Sequence, residues 1–173
     1  MNQTQHRMRT YGKTAVIFLS FFLSISGIHA QTTHVQLNQI ALMKQFIGTW
    51  KCELGMDTTL ISDNTSFGTG MLSNSQIVTK GENIDSVKQI YGYDKKTDKF
   101  IIAELIKSSP IIEICNAWFT SKNTGEIIVT NPDNAPYMFK FEFKTTDMIV
   151  QTAIVDGKVV KEITLTRIKS DKN

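Results

Sequence analysis

The sequence predicts an all-β fold, a closed antiparallel up-and-down β-barrel of about eight to ten strands preceded by a short N-terminal helix. Polar and apolar residues alternate in runs such as YMFKFEFK at 137–144, which is typical of strands with one buried and one solvated face. Turn-forming residues separate the runs at short intervals, and no long helical pattern lies between them, so βαβ units are not expected. Closure into a barrel would leave no exposed strand edge. A β-sandwich is the alternative architecture.

Residues 1–30 have the layout of a cleaved secretory signal peptide. Three basic residues and no acidic residue open the chain: Arg7, Arg9 and Lys13. An apolar run at 15–28 follows, and Ala30 supplies a small residue before the expected cut. The run is too short for a membrane-spanning helix, which needs roughly 20 apolar residues. We therefore expect a secreted or periplasmic protein with one domain at 31–173, and a retained N-terminal anchor is the alternative.

The charge balance and the histidine content restrict the function classes. The chain carries 19 Lys and Arg against 16 Asp and Glu, and three of the basic residues lie in the leader, so the remaining domain is nearly neutral. We expect no nucleic-acid partner and no membrane-spanning segment after cleavage. Only His34 remains beyond the leader, and no nucleophile elbow or paired carboxylates stand in a recognisable frame. We therefore expect no metal, cofactor or catalytic residue, with an isomerase or hydrolase as an alternative.

One helix and ten strands are predicted along the domain. Apolar residues recur at helical spacing over 33–46, with Thr33 as the N-cap and Gly48 at the end. The predicted strands lie at 49–56, 66–72, 76–79, 86–93, 100–106, 111–119, 126–130, 137–143, 148–155 and 159–168. Gly68 and Gly70 are interpreted as barrel curvature inside the second strand. Asp156-Gly157 is the clearest hairpin signal.

Two short motifs become informative together. Gly48-Thr49-Trp50 opens the first strand directly after the helix, and Thr166-Arg167-Ile168 closes the last strand. Between them, Gly92-Tyr93-Asp94 begins a lysine- and threonine-rich turn that ends at Phe100. This pattern resembles the calycin superfamily of lipocalins, fatty-acid-binding proteins and their bacterial relatives, in particular the secreted bacterial lipocalin-like domains of unknown function.

The resemblance implies a structural role for Trp50 and Arg167. In calycins the indole of the Gly-x-Trp motif packs near the closed end of the barrel, and an arginine from the last strand crosses the ring. First and last strands are neighbours in a closed meander, and a guanidinium over an indole gains about 0.5–2 kcal/mol. Fatty-acid-binding proteins carry a tyrosine where this chain has Lys169, so that branch is set aside. Haem-binding barrels need an axial ligand, usually histidine, and His34 precedes the barrel, so that branch is set aside as well.

A ligand cavity, if the barrel is hollow, is predicted from strand alternation on the assumption that charged residues mark the outer face. The candidate lining residues lie on three middle strands: Val87, Gln89, Tyr91, Ile112, Ile114, Asn116, Trp118, Phe139, Phe141 and Phe143. Gln89 and Asn116 would orient a ligand in an otherwise apolar pocket. A core filled by side chains is the alternative. Glu113 complicates the assignment, because an outward Glu113 also places Cys115 outward.

Two questions remain open from the residues alone. Cys52 and Cys115 lie in two predicted strands, and export would permit a disulfide, whereas two buried free thiols are the other outcome. The expected function is non-covalent binding of a small apolar or amphipathic molecule in the barrel. The alternative is a protein-binding envelope accessory or inhibitor module with a filled core and no small ligand.

Overall fold

A computed structural model describes residues 36–133, 135 and 137–169. The expected leader, its cleavage after Ala30, the predicted N-cap Thr33 and His34 lie outside these residues. The described chain folds as a closed barrel of ten antiparallel strands in up-and-down order, which confirms the predicted fold class. The strands are β1 (Gly48–Gly55), β2 (Thr58–Phe67), β3 (Gly70–Thr79), β4 (Glu82–Asp94), β5 (Lys99–Ile106), β6 (Ile112–Phe119), β7 (Thr124–Asn131), β8 (Tyr137–Thr145), β9 (Met148–Val155) and β10 (Lys158–Arg167).

A short helix precedes the barrel. Helix α1 (Gln39–Met43) continues into a 3₁₀ turn (Lys44–Phe46) before β1 begins. The Asn38 side chain caps α1 by accepting a hydrogen bond from the Ala41 amide at 3.0 Å. Residues 36–38 are not helical, so the helix begins later than the predicted position 33. Among the described residues, no helix has the length and apolar character needed to cross a bilayer.

The Gln39 side chain fixes α1 on the end of β6. Its Nε2 donates to the Phe119 carbonyl at 3.0 Å, and its Oε1 accepts from the Phe119 amide at 2.8 Å. Both groups of the amide are thereby satisfied, although only 6% of Gln39 is exposed. The side chain continues the hydrogen-bonding pattern of the strand, so the helix lies over one end of the barrel.

The region at 58–79 differs from the sequence prediction. It forms one long hairpin of β2 and β3, paired in register from Thr58 opposite Thr79 to Phe67 opposite Gly70. The predicted strand at 66–72 crosses the turn of this hairpin and is wrong. Gly68 lies in that turn with φ +60°, so it does not mark curvature inside a strand. The serine- and threonine-rich composition hid β2, because its inward side chains are polar.

The core lies at the helix end of the barrel. Phe46 packs edge-on against Phe141 and Phe143, with ring centroids 5.1 and 4.9 Å apart. Beside this aromatic cluster, the buried side chains of Met43, Met71 and other residues join α1 to the inner faces of β3 to β7. These contacts bury the apolar side of the helix and close this end of the barrel.

Arg167 and Trp50 lie together where the first and last strands meet. The Arg167 Cζ is 4.1 Å from the centre of the Trp50 ring, and only 1% of Trp50 is exposed. The indole Nε1 donates to the Phe46 carbonyl at 2.7 Å. The two residues are direct register partners in the β1–β10 pair. The ring is therefore enclosed by the 3₁₀ turn, the aromatic cluster and the guanidinium.

The Arg167 guanidinium also ties the helix to the barrel. It donates to the Gln45 carbonyl at 2.9 Å, to the Thr146 carbonyl at 3.1 Å and to the Ile47 carbonyl. A Cβ at Gly48 would lie 2.5 Å from the Arg167 Nη1, and the backbone there has φ +119°. A glycine before the tryptophan is therefore required both by the backbone conformation and by the space that the arginine occupies.

We predict that Trp50→Ala lowers the free energy of unfolding by about 3–5 kcal/mol, because it leaves a large cavity and removes the surface on which Arg167 lies. Chemical denaturation followed by circular dichroism measures this change. Trp118→Ala is the matched control. Trp118 is half-buried on the outer face, where Lys99 Nζ lies 3.8 Å from its ring centre, so we expect a loss of about 1 kcal/mol. Equal losses in the two variants would contradict the structural role of Trp50.

Candidate functional site: a two-sided cavity in the barrel

The barrel contains a central cavity of about 210 Å³. Strands β2 to β5 provide a polar wall of six side chains: Ser62, Asn64, Ser73, Ser75, Gln89 and Glu104. The same strands also contribute Leu60, Val87 and Tyr91. The opposite wall comes from β1 and β7 to β10 and is mainly apolar, through Trp50, Ile127, Phe141, Ile149 and Leu165, with Gln151 as its polar residue. The cavity is therefore amphipathic, and its two sides are set by different parts of the chain.

A network of side-chain hydrogen bonds organises the polar wall. The Ser62 hydroxyl donates to Asn64 Oδ1 at 3.1 Å, and the Ser75 hydroxyl donates to Ser62 at 2.9 Å. Ser62 and Ser73 lie 3.1 Å apart, Oγ to Oγ. The Asn64 amide donates to the Phe46 carbonyl at 3.0 Å. These four residues are at least nine-tenths buried, so the network holds the wall in one arrangement.

A second chain of hydrogen bonds crosses β4 and β5. The Tyr91 hydroxyl donates to Gln89 Oε1 at 2.8 Å, and Gln89 Nε2 donates to the Glu104 carboxylate. Glu113 is the register partner of Glu104 on β6, and the Tyr137 hydroxyl donates to Glu113 Oε1 at 3.0 Å. Two carboxyl groups therefore lie side by side on the inner face, a pair that the sequence did not reveal.

Burial perturbs the ionisation of these groups. Burial raises the pKa of the Glu104 carboxyl, the hydrogen bond from Gln89 lowers it, and the neighbouring Glu113 raises it again. Burial also raises the pKa of the Cys115 thiol to about 12, with further contributions from both carboxylates. The pKa of Tyr137 rises to about 12 through burial and its hydrogen bond to Glu113. Each of the three groups therefore holds its proton to a higher pH than it would in water.

A smaller hollow of about 100 Å³ adjoins the cavity wall at Gln151. It is bordered by Leu54 on β1 and by Lys161 and Ile163 on β10. The register between β1 and β10 extends only over Trp50 opposite Arg167 and Lys51 opposite Thr166. The register stops at Lys51, so toward Leu54 the two strands have no register partners, and the hollow lies in the resulting gap.

The structure brings some predicted lining residues together and separates others. Val87, Gln89, Tyr91 and Phe141 line the central cavity. Phe139 borders the smaller hollow, and Phe143 lies in the aromatic cluster at the helix end. Any contact of these residues with a ligand remains a prediction.

The four predicted residues of β6 do not enter the cavity. Phe100 and Ile102, which are buried, pair with Ala117 and Cys115, so these small residues occupy the inner face of β6. The placement of the predicted residues on that inner face is therefore wrong, and they lie on the outer face: Ile112, Ile114, Asn116 and Trp118. The prediction failed because it assumed that Glu113 faces outward.

The sequence analysis also missed most of the polar wall. Ser62 and Asn64, like Ser73 and Ser75, stand two residues apart and so share one face of a strand. Serine carries no hydrophobic signal, so the inward face of β2 and β3 looked like loop sequence. Leu60, two residues before Ser62, and the buried Met71, two residues before Ser73, are apolar signals on that face.

Both cysteines are buried and free, Cys52 on β1 and Cys115 on β6. The structure therefore contains the thiols and no disulfide between them. No group of three or more His, Cys, Asp or Glu residues is arranged to hold a metal ion in the part of the chain that the structure describes.

Comparison with known proteins assigns no family to this fold and cavity. No protein-family model matches the chain, and no curated protein sequence matches it. The function must therefore be argued from the geometry of the barrel.

We predict that Glu104→Gln becomes increasingly stabilising as the pH rises. The pKa of Glu104 is higher in the folded protein than its ordinary value near 4.3 in the unfolded chain. The folded state therefore binds the proton more tightly, and wild-type stability falls as the pH rises through the folded-state pKa. The glutamine keeps an acceptor for Gln89 and does not ionise. The melting temperature of Glu104→Gln relative to wild type should rise between about pH 4 and about pH 8.

Glu142→Gln is the control for this titration. Glu142 is part of an exposed ion pair with Lys144 on the outer face of β8, 2.7 Å between Nζ and Oε2. Its replacement removes a carboxylate from the outer face without changing the interior, so a comparison of the two variants isolates the effect of burial. A melting-temperature difference that stays constant with pH for Glu104→Gln would contradict the assigned effect of burial.

Proposed function

We propose that this protein is exported and binds a small amphipathic molecule non-covalently inside a lipocalin-like barrel. The observation that carries the proposal is the central cavity of about 210 Å³, with one polar wall and one apolar wall. Such cavities orient a ligand by a few polar groups and bind its body by apolar contact. Typical sites for drug-sized ligands measure roughly 300–1,000 Å³, so the ligand of this protein is small.

The relationship to the calycin superfamily is part of the same proposal. A closed meander, a short helix over one end, and an arginine from the last strand over the tryptophan of the first strand support it. A barrel of this kind holds its ligand between its inner faces. Export is supported by the basic and apolar segments of residues 1–30 alone. We further propose that the protein has no catalytic activity.

One observation favours a second candidate, a protein-binding accessory or inhibitor module. The outer face of β4 to β7 exposes five large apolar side chains: Ile90, Ile101, Leu105, Ile112 and Ile128. Leu105 is opposite Ile112 in the β5–β6 register, so part of this set is contiguous. Contiguous exposed apolar surface often marks a contact with another protein.

Native mass spectrometry of protein purified from its own host tests the first candidate. We expect a single small molecule bound to the wild-type protein and released on denaturation. Val87→Phe fills the cavity from β4 and should lose the ligand, because the added ring occupies the space between the two walls. Ile90→Phe, on the exposed face of the same strand, is the matched control and should keep it.

Repeated ligand-free spectra of the wild-type protein would contradict the ligand-binding proposal. Retention of the molecule by Val87→Phe would contradict its location in the cavity. Melting temperatures of both variants show whether the fold is intact. A ligand-free protein that co-purifies with a partner and loses that partner in Ile101→Glu would instead support the second candidate.

A further inference from the structure

The charged groups that face the cavity are of one sign. Glu104 is the only charged side chain among the described residues that line it. Among these same residues, no lysine or arginine forms an ion pair with Glu104, and its register partner Glu113 is a second carboxyl group. Lys161 borders the smaller hollow on the other side of Gln151 and is itself exposed. A bound carboxylate would therefore find no partner of opposite charge in the cavity.

The hydroxyl protons of Ser62, Ser73 and Ser75 are all used in hydrogen bonds within the polar wall. Ser75 donates to Ser62, and Ser62 donates to Asn64. The remaining contact of Ser62 is with Ser73, which must then be the donor, because the single proton of Ser62 is in use. Ser73 and Ser75 are left with unused lone pairs at the cavity wall. The wall thus offers acceptors to a ligand that supplies donors.

The carboxyl group at the same wall also has free acceptor capacity. Among the described residues, only one oxygen of Glu104 receives a hydrogen bond, from Gln89, whose own oxygen accepts from Tyr91. The side chain of Gln151 also lies at the cavity wall. A donor-bearing group at Glu104 would thus meet the carboxylate, while its apolar body would face Trp50 and Phe141. The serine oxygens lie further along the same wall, because Gln89 on β4 stands between Ser73 and Glu104 in the register.

We propose that the ligand is a small molecule with a protonated amine, bound at Glu104, and with a compact apolar body against the opposite wall. This inference rests on the proposed function and specifies its ligand class. An ammonium group carries three donors and no acceptor, which matches a wall of serine lone pairs and a carboxylate without a counter-charge. Carboxylate ligands such as fatty acids are disfavoured by the same arrangement.

Three probes of equal chain length test the inference: hexylamine, hexanol and hexanoate. Isothermal titration calorimetry at neutral pH measures their affinities for the protein, with thermal shift as a second readout. We expect hexylamine to bind at least about tenfold more tightly than hexanol, and hexanoate to bind most weakly, since charge-assisted hydrogen bonds are the stronger ones. Glu104→Gln should abolish the preference, so that hexylamine binds the variant no more tightly than hexanol does.

Glu142→Gln is the control for nonspecific attraction, because it removes an exposed carboxylate from the outer face. This variant should keep the preference for the amine. Hexylamine binding no tighter than hexanol, or an amine preference that survives Glu104→Gln, would overturn the inference and leave the proposed function standing. Failure of all three probes to bind the folded wild-type protein would count against the proposed function itself. Hexanol binding by Glu104→Gln shows that the cavity of the variant remains accessible.

Discussion

The closure of the barrel depends on one short seam between its first and last strands. Elsewhere neighbouring strands pair over at least five register positions, whereas β1 and β10 pair at two, Trp50 with Arg167 and Lys51 with Thr166. Backbone pairing along this seam is therefore limited, and the Arg167 side chain supplies further contacts across it. Its guanidinium lies on the indole, forms an ion pair with Asp147 (3.2 Å from Nε to Oδ1) and donates to carbonyls before β1 and after β8. One cation thus joins the helix, the first strand and the last strand.

The closed end determines where the cavity can form. Aromatic side chains fill the barrel beneath α1. Farther from the helix, the inner face is mainly polar on β2 to β5 and mainly apolar on β1 and β7 to β10. Serines and an asparagine on β2 and β3 cannot fill the space that aromatic residues fill on β8, so room remains between the walls. Because these polar groups bond to one another, their burial carries a small penalty. The same network leaves acceptors at the surface of the cavity, and Glu104 in the same wall has no ion-pair partner among the described residues.

Local patterns predicted the architecture well and the interior poorly. Period-two alternation identified β8 and β9, and Asp156-Gly157 forms the expected turn with both φ values positive. The agreement in strand number was partly accidental, because one predicted strand spanned the turn at Gly68 and β2 was not recognised. The interior failed for a physical reason: the rule that charged residues face water does not hold for Glu104 and Glu113, which find hydrogen bonds from Gln89 and Tyr137 inside the barrel. The buried face of β6 is decided by its register with β5, where the buried Phe100 and Ile102 are opposite Ala117 and Cys115.

Hydrogen exchange of the wild-type protein and of Arg167→Lys tests the central role of the seam most directly. Lysine keeps the charge, but its compact ammonium cannot lie flat on the indole as the planar guanidinium does, and it lacks the five spread donors of the arginine. The account predicts that protection is lost first at α1, β1 and the end of β10, including the Ile168 amide that donates to the Thr49 carbonyl at 2.8 Å. Amides in β4 to β7 should keep their wild-type protection. Equal loss of protection around the whole barrel, or no loss at the seam, would contradict this account.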